Sequence, residues 1–531
     1  TANHIEDTSA DTLGGDDPRG SLGFDPAMTS FNGVAPPFAY PSFLLGTMTS
    51  SARARFDNGW PYQTFWQTAF YAQDDFKILP SLTLNIGLRY ELITRPIERF
   101  NRESNWDTTT NQLVLATPSN RSPALNLDTG DWGPRVGLAW TPDNGKTSIR
   151  AGYGLSYWQA YWSGPLTILG LDYPNYAKTQ FLTPNNLTPT LSLSKDGLPL
   201  AAAVYGPSGQ LIIPPYAVIR GTNINWRNQE VAQMSFNLQH QIGRYVLADV
   251  GYLGVRGLHN NHTTNINQAP PQLPGVDYNT ARPLYGEYPQ IGDIPIQYSN
   301  ASTWYNALTA RVTMQPWHGF MLQASYAWAR SFANGNNIDQ TNIWQYSGPT
   351  QQDIANSFTA QFGYEFPVGR GKQFLGNANR VVDAFLGGWQ YSGFLTVRSG
   401  LRFNVTSSVS LLNNGQSNQP NRTCSGNISN PTVNLWFNTS CFSDDLVVDS
   451  YGNSGFYPLH TDGLQQLDSS LFKTFSLTER FNLQLRIDAF NTFNHPNFNA
   501  PDANVGDPTM GQIFSTSVDN RRMQFGLRLF F

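Results

Sequence analysis

Charge is scarce in this sequence. Asp, Glu, Lys and Arg make up 13% of its 531 residues, about half the share of an ordinary soluble protein. The remaining charges nearly balance, at a net −4 and a pI near 6.0, which argues against a nucleic-acid partner. Long apolar runs are missing too. A membrane-spanning helix needs about 18 or more uncharged apolar residues, and the longest candidates, 37–48 and 211–219, are short and broken by proline. Cysteine is limited to Cys424 and Cys441, both in a polar stretch rich in Asn, Ser and Pro. No other Cys or His clusters beside them to build a zinc site. A disulfide formed in an oxidising compartment is favoured over two unpaired loop thiols.

Catalytic signatures are absent as well. There is no Gly-x-Ser-x-Gly elbow, and Asn144-Gly-Lys-Thr147 has Trp140 where a phosphate loop needs glycine. His259 and His262 lack a third ligand nearby, so loop solvation outweighs metal binding. Asp7, Asp11, Asp16 and Asp17 match no calcium-loop spacing. We expect no enzyme, no metal and no cofactor. The start, Thr1-Ala-Asn-His-Ile-Glu-Asp7, has no initiator Met, basic region or apolar signal core. The expectation is a cleaved leader or a chain that starts within a longer protein.

What the sequence does have is alternation. Aromatics reach 13%, yet mean hydropathy is only −0.37, because apolar residues occupy every second position. At the C-terminus, Met523, Phe525, Leu527, Leu529 and Phe531 point one way in a strand, and Gln524, Gly526, Arg528 and Phe530 the other. The pattern recurs in 63–77, 82–92, 132–141, 147–158, 229–242, 245–256, 305–314, 320–331, 358–366, 389–406, 464–476 and 481–493. In the last of these, Phe481, Leu483, Leu485, Ile487 and Ala489 oppose Asn482, Gln484, Arg486 and Asp488. Each clean segment has about ten residues, enough for a tilted strand to cross a bilayer.

Short turns, such as 142–146 with its Asn144-Gly145 hairpin signal, alternate with long polar loops at 93–131, 159–228, 257–304, 332–353, 407–463 and 494–520. Tight turns at one end and long loops at the other are the asymmetry of outer-membrane barrels. Trp140 and Trp317 beside the turns, and Tyr157, Trp158, Tyr161 and Trp162 at the loop end, suit interfacial girdles. Arg89, Arg150, Arg311, Arg398, Arg486 and Arg528 face the polar side, where ion pairs with residues such as Glu91 and Asp488 are expected. Trp162, Tyr173, Tyr176, Trp226 and Trp344 could stack on sugars, although packing within the loops is the favoured use.

The reading is therefore all-β, an antiparallel transmembrane β-barrel. Residues 1–62 show no convincing alternation and read as extracellular loop; 63–531 read as barrel, with its largest loops at 159–228, 257–304 and 407–463. About thirteen strands are counted. An odd number leaves 63–77 without an upstream partner, because single-chain bacterial barrels close with an even number.

Particular motifs carry a family resemblance. Tyr71-Ala-Gln-Asp-Asp-Phe-Lys77 followed by Leu82-Thr-Leu-Asn-Ile-Gly-Leu-Arg-Tyr-Glu91 resembles a recurrent strand pair of TonB-dependent receptors, closest to the large Oar-like group of acidobacteria and related phyla. Gly133-Pro-Arg-Val-Gly-Leu-Ala-Trp140, Tyr305-Asn-Ala-Leu308, Phe366-Pro-Val-Gly-Arg-Gly-Lys372, Gly387-Gly-Trp-Gln390 and Phe490-Asn-Thr-Phe-Asn-His-Pro-Asn-Phe498 are similar to that group's barrel, and Pro41-Ser-Phe-Leu-Leu-Gly46 to its outer loops. The family's regulatory-like sandwich, TonB box, plug and early strands have no counterpart here. Its barrel has 22 strands, so the resemblance implies a C-terminal part lacking roughly nine. It further implies a Gram-negative outer membrane, an unknown extracellular substrate, coupling to TonB-ExbB-ExbD through the absent region, and Phe525, Leu527, Leu529 and Phe531 as a signal for the barrel-assembly machinery. The alternative is a passive porin or adhesin without energy coupling.

Overall fold

The computed structural model describes residues 2–7, 19–30, 38–56, 61–123, 125–158, 169–183, 188–196, 204–205, 207, 211–213, 219–273, 276–334, 347–407, 412, 414, 419–444, 451–478 and 480–531. Fourteen strands run up and down in sequence order: β1 (Ala2–Asp7), β2 (Gln63–Leu79), β3 (Leu82–Ile93), β4 (Trp132–Trp140), β5 (Thr147–Trp158), β6 (Gln229–Ile242), β7 (Val246–Asn265), β8 (Pro295–Trp317), β9 (Phe320–Ala333), β10 (Asn356–Glu365), β11 (Trp389–Arg398), β12 (Leu464–Ser476), β13 (Asn482–Phe490) and β14 (Arg522–Phe530). Each pairs antiparallel with the next. Three short strands, Ile97–Glu98, Gly221–Thr222 and Gly348–Pro349, complete a 17-stranded sheet.

The turn end is built from residues that accept its backbone angles. Asn144 and Gly145 have φ of 51° and 89°, the left-handed pair at the centre of a tight turn closed by Lys146 N–H to Asp143 O at 3.1 Å. His318 and Gly319 repeat this at the β8–β9 turn, with φ of 49° and 83°.

Strand register aligns the alternation across the wall. One face carries a continuous row through Ile86, Val136, Tyr153, Met234, with Leu238, Val250, Ala310, Tyr326, Phe358 and Val397 in a second. It continues through Leu471, Ile487 and Phe525. The other face carries Arg150, Asn237 and Gly251 in one row, and Asp249, Arg311, Ser325, Thr359 and Thr396 in another. Leu483, Leu485 and Ile487 are only half-buried, and Ile86, Val136, Val250, Leu308 and Trp328 are exposed. An apolar surface of this extent requires lipid rather than water against it.

Packing of large side chains lies elsewhere. Among the described residues, the hydrophobic clusters sit in the loops and loop-side strand ends: around Trp106 and Ile294, Phe65 and Trp226, Phe403 and Phe437, and Ala54 and Tyr176. Among the largest fully buried side chains, Lys473 alone belongs to the turn-side part of the wall.

Three expectations are corrected. Residues 1–62 are not loop alone: Ala2–Asp7 pairs with the loop-side half of β2, Ala2 against Thr68 and Asp7 against Gln63. Six residues with one large apolar side chain, Ile5, are too few to display a period. The loop expected at 257–304 is shorter, because β7 and β8 continue through it, with Asn260 opposite Ala301 and His262 opposite Tyr298 across register shifts. Beyond the bilayer the strands lie against loops, so alternation no longer marks them. The last strand-like stretch of 389–406 ends at Arg398, and only Arg402–Phe403 and Thr406–Ser407 resume as short strands of other sheets.

Val250→Arg, on the apolar face, is expected to destabilise the folded barrel by about 2–4 kcal/mol, the cost of a midplane cation on a lipid-facing strand. Gln361→Arg, on the polar face, is expected to be nearly neutral. Urea titration of the full-length protein in vesicles, read by heat-modifiable mobility, measures both.

Candidate functional site

Two regions present side chains in patterns that packing alone does not demand: the polar face of the wall and the cap formed by the loops. On the polar face, Arg150, Asn237, Gln239, Asp249, Thr309, Arg311, Ser325 and Thr359 line a depression of about 530 Å³. Smaller ones lie beside Gln73, Arg89 and Arg135 (about 230 Å³) and beside Gln361, Ser392, Asp468, Arg486 and Asp488 (about 310 Å³). Asp249 accepts from the Asn237 amide at 3.2 Å. Of the arginines expected in ion pairs, Arg89 meets Glu91 at 2.6 Å and Arg486 meets Asp488 at 2.8 Å. Among the described residues, Arg150, Arg311, Arg398 and Arg528 meet no carboxylate. Arg150 and Arg311 stand near the middle of the wall, so a hydrated cavity is needed to solvate them.

The cap is stitched together by buried polar groups. Asn105 donates to Thr222 O at 3.0 Å and accepts from Thr222 N–H at 2.7 Å, and Ser104 Oγ donates to Tyr173 O at 2.7 Å. The β3–β4 link is thereby fixed to the β5–β6 link. Asp353, fully buried, receives Arg402 at 2.8 Å, Arg330 at 3.2 Å and the Ser331 N–H at 2.8 Å, tying β9 to the chain beyond β11. Cys424 and Cys441 are joined in a disulfide, Cα atoms 5.1 Å apart, and Cys441 packs with Phe403, Phe437, Phe442 and Leu459.

Three carboxyl groups in the cap are held away from their usual ionisation. Burial pushes Glu103 up to about 8, only partly offset by the Gln63 amide bonded to it and aided by Glu98. Burial and then neighbouring Asp128 push Asp131 up to about 7, against the Asn228 amide that donates to it at 2.6 Å. Burial raises Asp172 well above the carboxylate range, despite N–H groups of Tyr173 and Arg220, each at 2.8 Å. Glu98 goes the other way. Its burial is outweighed by bonds from the Arg102 guanidinium and from the N–H groups of Arg102, Tyr62 and Phe100. Nothing in the sequence marked Glu103, Asp131 or Asp172, which lie in polar loops without a recognisable motif.

The aromatic, acidic and histidine residues singled out from the sequence have other settings. Tyr173, Tyr176 and Trp226 are buried in the cap, and the Tyr173 hydroxyl donates to Ile212 O at 2.6 Å, so none is free to stack on a sugar. Trp162, Trp344, Tyr161, Asp11, Asp16 and Asp17 lie outside the described residues, and Asp7 ends β1. His262 is buried with Nδ1 at 3.1 Å from Thr264 Oγ1, while His259 Nδ1 is 3.2 Å from Ser299 O. Among the described residues no group of His, Cys, Asp and Glu could hold a metal ion. Phe525, Leu527 and Leu529 project exposed from the apolar face of β14, and Phe531 follows it with its ring 6.5 Å from Phe481.

A two-faced wall with a polar hollow and a loop cap is the form of a membrane barrel. A family profile described as the outer membrane beta barrel domain matches residues 4–524. The chain belongs to this outer-membrane β-barrel family. No curated protein matches the sequence. Among solved structures this barrel is similar to the pyoverdine outer membrane receptor FpvA from Pseudomonas aeruginosa PAO1, at 10% identity and a TM-score of 0.41, covering 89% of this chain and 43% of that one. It is similar also to the siderophore receptor PiuA from Acinetobacter baumannii, at 8% identity, TM-score 0.40 and coverage of 91% and 44%. The copper transporter OprC matches at 11% identity, TM-score 0.40 and coverage of 91% and 53%. The barrel thus spans less than half the length of FpvA and of PiuA.

Protonation of Glu103 sets a direction for pH dependence. Its folded value, about 8, lies above the ordinary carboxylate value, so its contribution is complete below the ordinary value. It is lost as pH rises through about 8. The cap of the full-length protein is expected to become more protease-sensitive between mildly acidic pH and pH 8.5, and Glu103→Gln to flatten that change. Limited proteolysis across this pH range, scored by cleavage within 99–131, is the measurement.

Proposed function

We propose that this barrel wall is the C-terminal part of an Oar-like, TonB-dependent outer-membrane receptor that takes up a scarce extracellular substrate. The observation that carries the reading is the polar face with its arginine-lined hollow, on a sheet whose other face is mainly apolar. Such a wall suits a lumen that passes or holds polar material. The motif resemblance from Tyr71 to Phe498 supports the particular family. The long loops, including 1–62 beyond β1, face outward and form the cap that meets substrate; the tight turns face the periplasm. Unpaired edges also support a larger barrel: the turn-side half of β2 and the outer side of β14 have no neighbour among the described residues. A plug and a TonB box preceding this region would provide coupling to TonB-ExbB-ExbD. The barrel itself has no enzymatic role and supplies the lipid-compatible wall, the lumen and the recognition surface.

The test uses the full-length protein. The periplasmic domain of TonB is expected to bind it in detergent, and deletion of the upstream TonB box to abolish binding. A protein that does not bind TonB and conducts ions steadily across a planar bilayer would instead be a passive pore.

The C-terminal side chains Phe525, Leu527, Leu529 and Phe531 are proposed as the signal read by the barrel-assembly machinery. Deleting Phe531 from the full-length protein is expected to lower its folded level in outer membranes. An unchanged amount of heat-modifiable protein would remove that role.

A further inference from the structure

Among the described residues, the connection from β10 to β11 is far longer than the other turn-end links, and it contains a helix, Arg380–Leu386. Asn379 caps it, accepting the Val382 N–H at 2.9 Å. The apolar side chains of this segment are not packed away: Val381 is 67% exposed, Phe385 73%, Leu386 53% and Phe374 55%. In an aqueous setting such an exposed apolar patch would have no reason to persist.

The helix is nonetheless fastened, and the fastening fixes its side of the wall. Lys473 lies in the apolar row of β12, in register with Trp389 of β11 and Leu485 of β13. An ammonium in that row cannot be left to hydrocarbon. Its Nζ donates instead to the carbonyls of Gly387 and Asp383 at the end of the helix. It also sits 5.4 Å from the Trp389 ring centroid and 5.0 Å from that of Phe475. Trp389 Nε1 adds a bond to Phe385 O at 2.9 Å. The helix end is therefore strapped to the lipid-facing surface, at the level of the turns, beside the aromatic row of Trp389, Tyr391 and Phe362. Lys372 is paired with Glu365 at 2.6 Å and the Arg370 N–H donates to Asp383 Oδ1 at 2.6 Å, whereas the guanidinium groups of Arg370 and Arg380 form no ion pair among the described residues.

We propose that residues 374–386 form an anchor lying in the periplasmic leaflet. Val381, Phe385, Leu386 and Phe374 enter the headgroup–acyl boundary, about 5–10 Å deep, and Arg370 and Arg380 meet lipid phosphates. The occupant is a phospholipid surface, because this patch is fastened to the lipid-facing row through Lys473 and Trp389 and is bordered by cations. The anchor fixes the depth of the barrel at that rim. It depends on the outer-membrane barrel and holds whether or not transport is energised.

The experiment places a single label on the full-length protein in phosphatidylethanolamine–phosphatidylglycerol vesicles. Phe385→Cys and, separately, Asn377→Cys are modified with bimane; Cys424 and Cys441 are joined and do not react. Heat-modifiable mobility confirms that each variant is folded. Bimane at position 385 is expected to be quenched several-fold more by phospholipid carrying a nitroxide near the headgroup than by aqueous iodide, and at position 377 the reverse. Equal iodide access at both positions would overturn the proposal. So would protection of position 385 appearing only after periplasmic proteins are added, which would assign the patch to a protein partner.

Discussion

A peptide group in hydrocarbon has no water to bond, and each one left unpaired costs several kcal/mol. That single constraint orders everything else in this chain. It forces every spanning segment into a ladder with its neighbour, and thirteen consecutive antiparallel registers supply that ladder. Once the backbone is satisfied within the sheet, side chains alone decide what each face meets. The period of two then separates Val250 and Leu238 from Asp249 and Asn237 with no packing layer on either side.

A wall one sheet thick has no interior, so the chain must place its packed core elsewhere. It places it in the loops. Trp106, Tyr173, Ile219 and Ile294 form there the kind of cluster that a soluble domain would have at its centre. Burying so much loop surface brings polar groups inside with it, which accounts for the Asn105–Thr222 exchange, the Asp353 junction and the raised carboxyls of Glu103, Asp131 and Asp172. The disulfide closes a 17-residue separation in the same region. Loop closure of this size is worth about 3 kcal/mol in chain-entropy terms, a useful addition where little regular structure holds the chain.

How much of this could be read from sequence follows from the same physics. Spanning strands such as β3, β5 and β13 were legible because lipid on one side and water on the other write the period directly into residues. The outer halves of β7 and β8 were not, since His262, Thr264 and Ile296 are all buried against loops and contrast between faces is lost. The helix Arg380–Leu386 was hidden for another reason: Val381, Val382, Ala384, Phe385 and Leu386 are nearly all apolar and give neither period. Of the polar lumen, the arginines were visible, and so were Glu91 and Asp488 as partners for two of them. Arg89 and Arg486 have a carboxylate two residues on along their own strands, and Arg150 and Arg311 do not. The buried acids of the cap carry no local signal, because what raises them is burial by segments distant in sequence.

Strand direction adds one more step. β2 descends from loop end to turn end, and so does β14, with Arg522 at the loop side and Phe530 near the turn of β12 and β13. Joining β14 directly to β2 would make a parallel pair, which an all-antiparallel barrel does not contain. An odd number of strands must therefore stand between them in the membrane. β1 occupies the correct direction but reaches only Gln63–Thr68 of β2, six residues against the roughly 9–11 that a crossing needs. From Tyr71 to Leu79, β2 exposes both side-chain faces and pairs on that edge with no strand among the described residues. In lipid that edge is untenable by itself, and so is the edge of β14. On the proposed reading further strand pairs with both, and closure of the wall turns its polar face into a lumen.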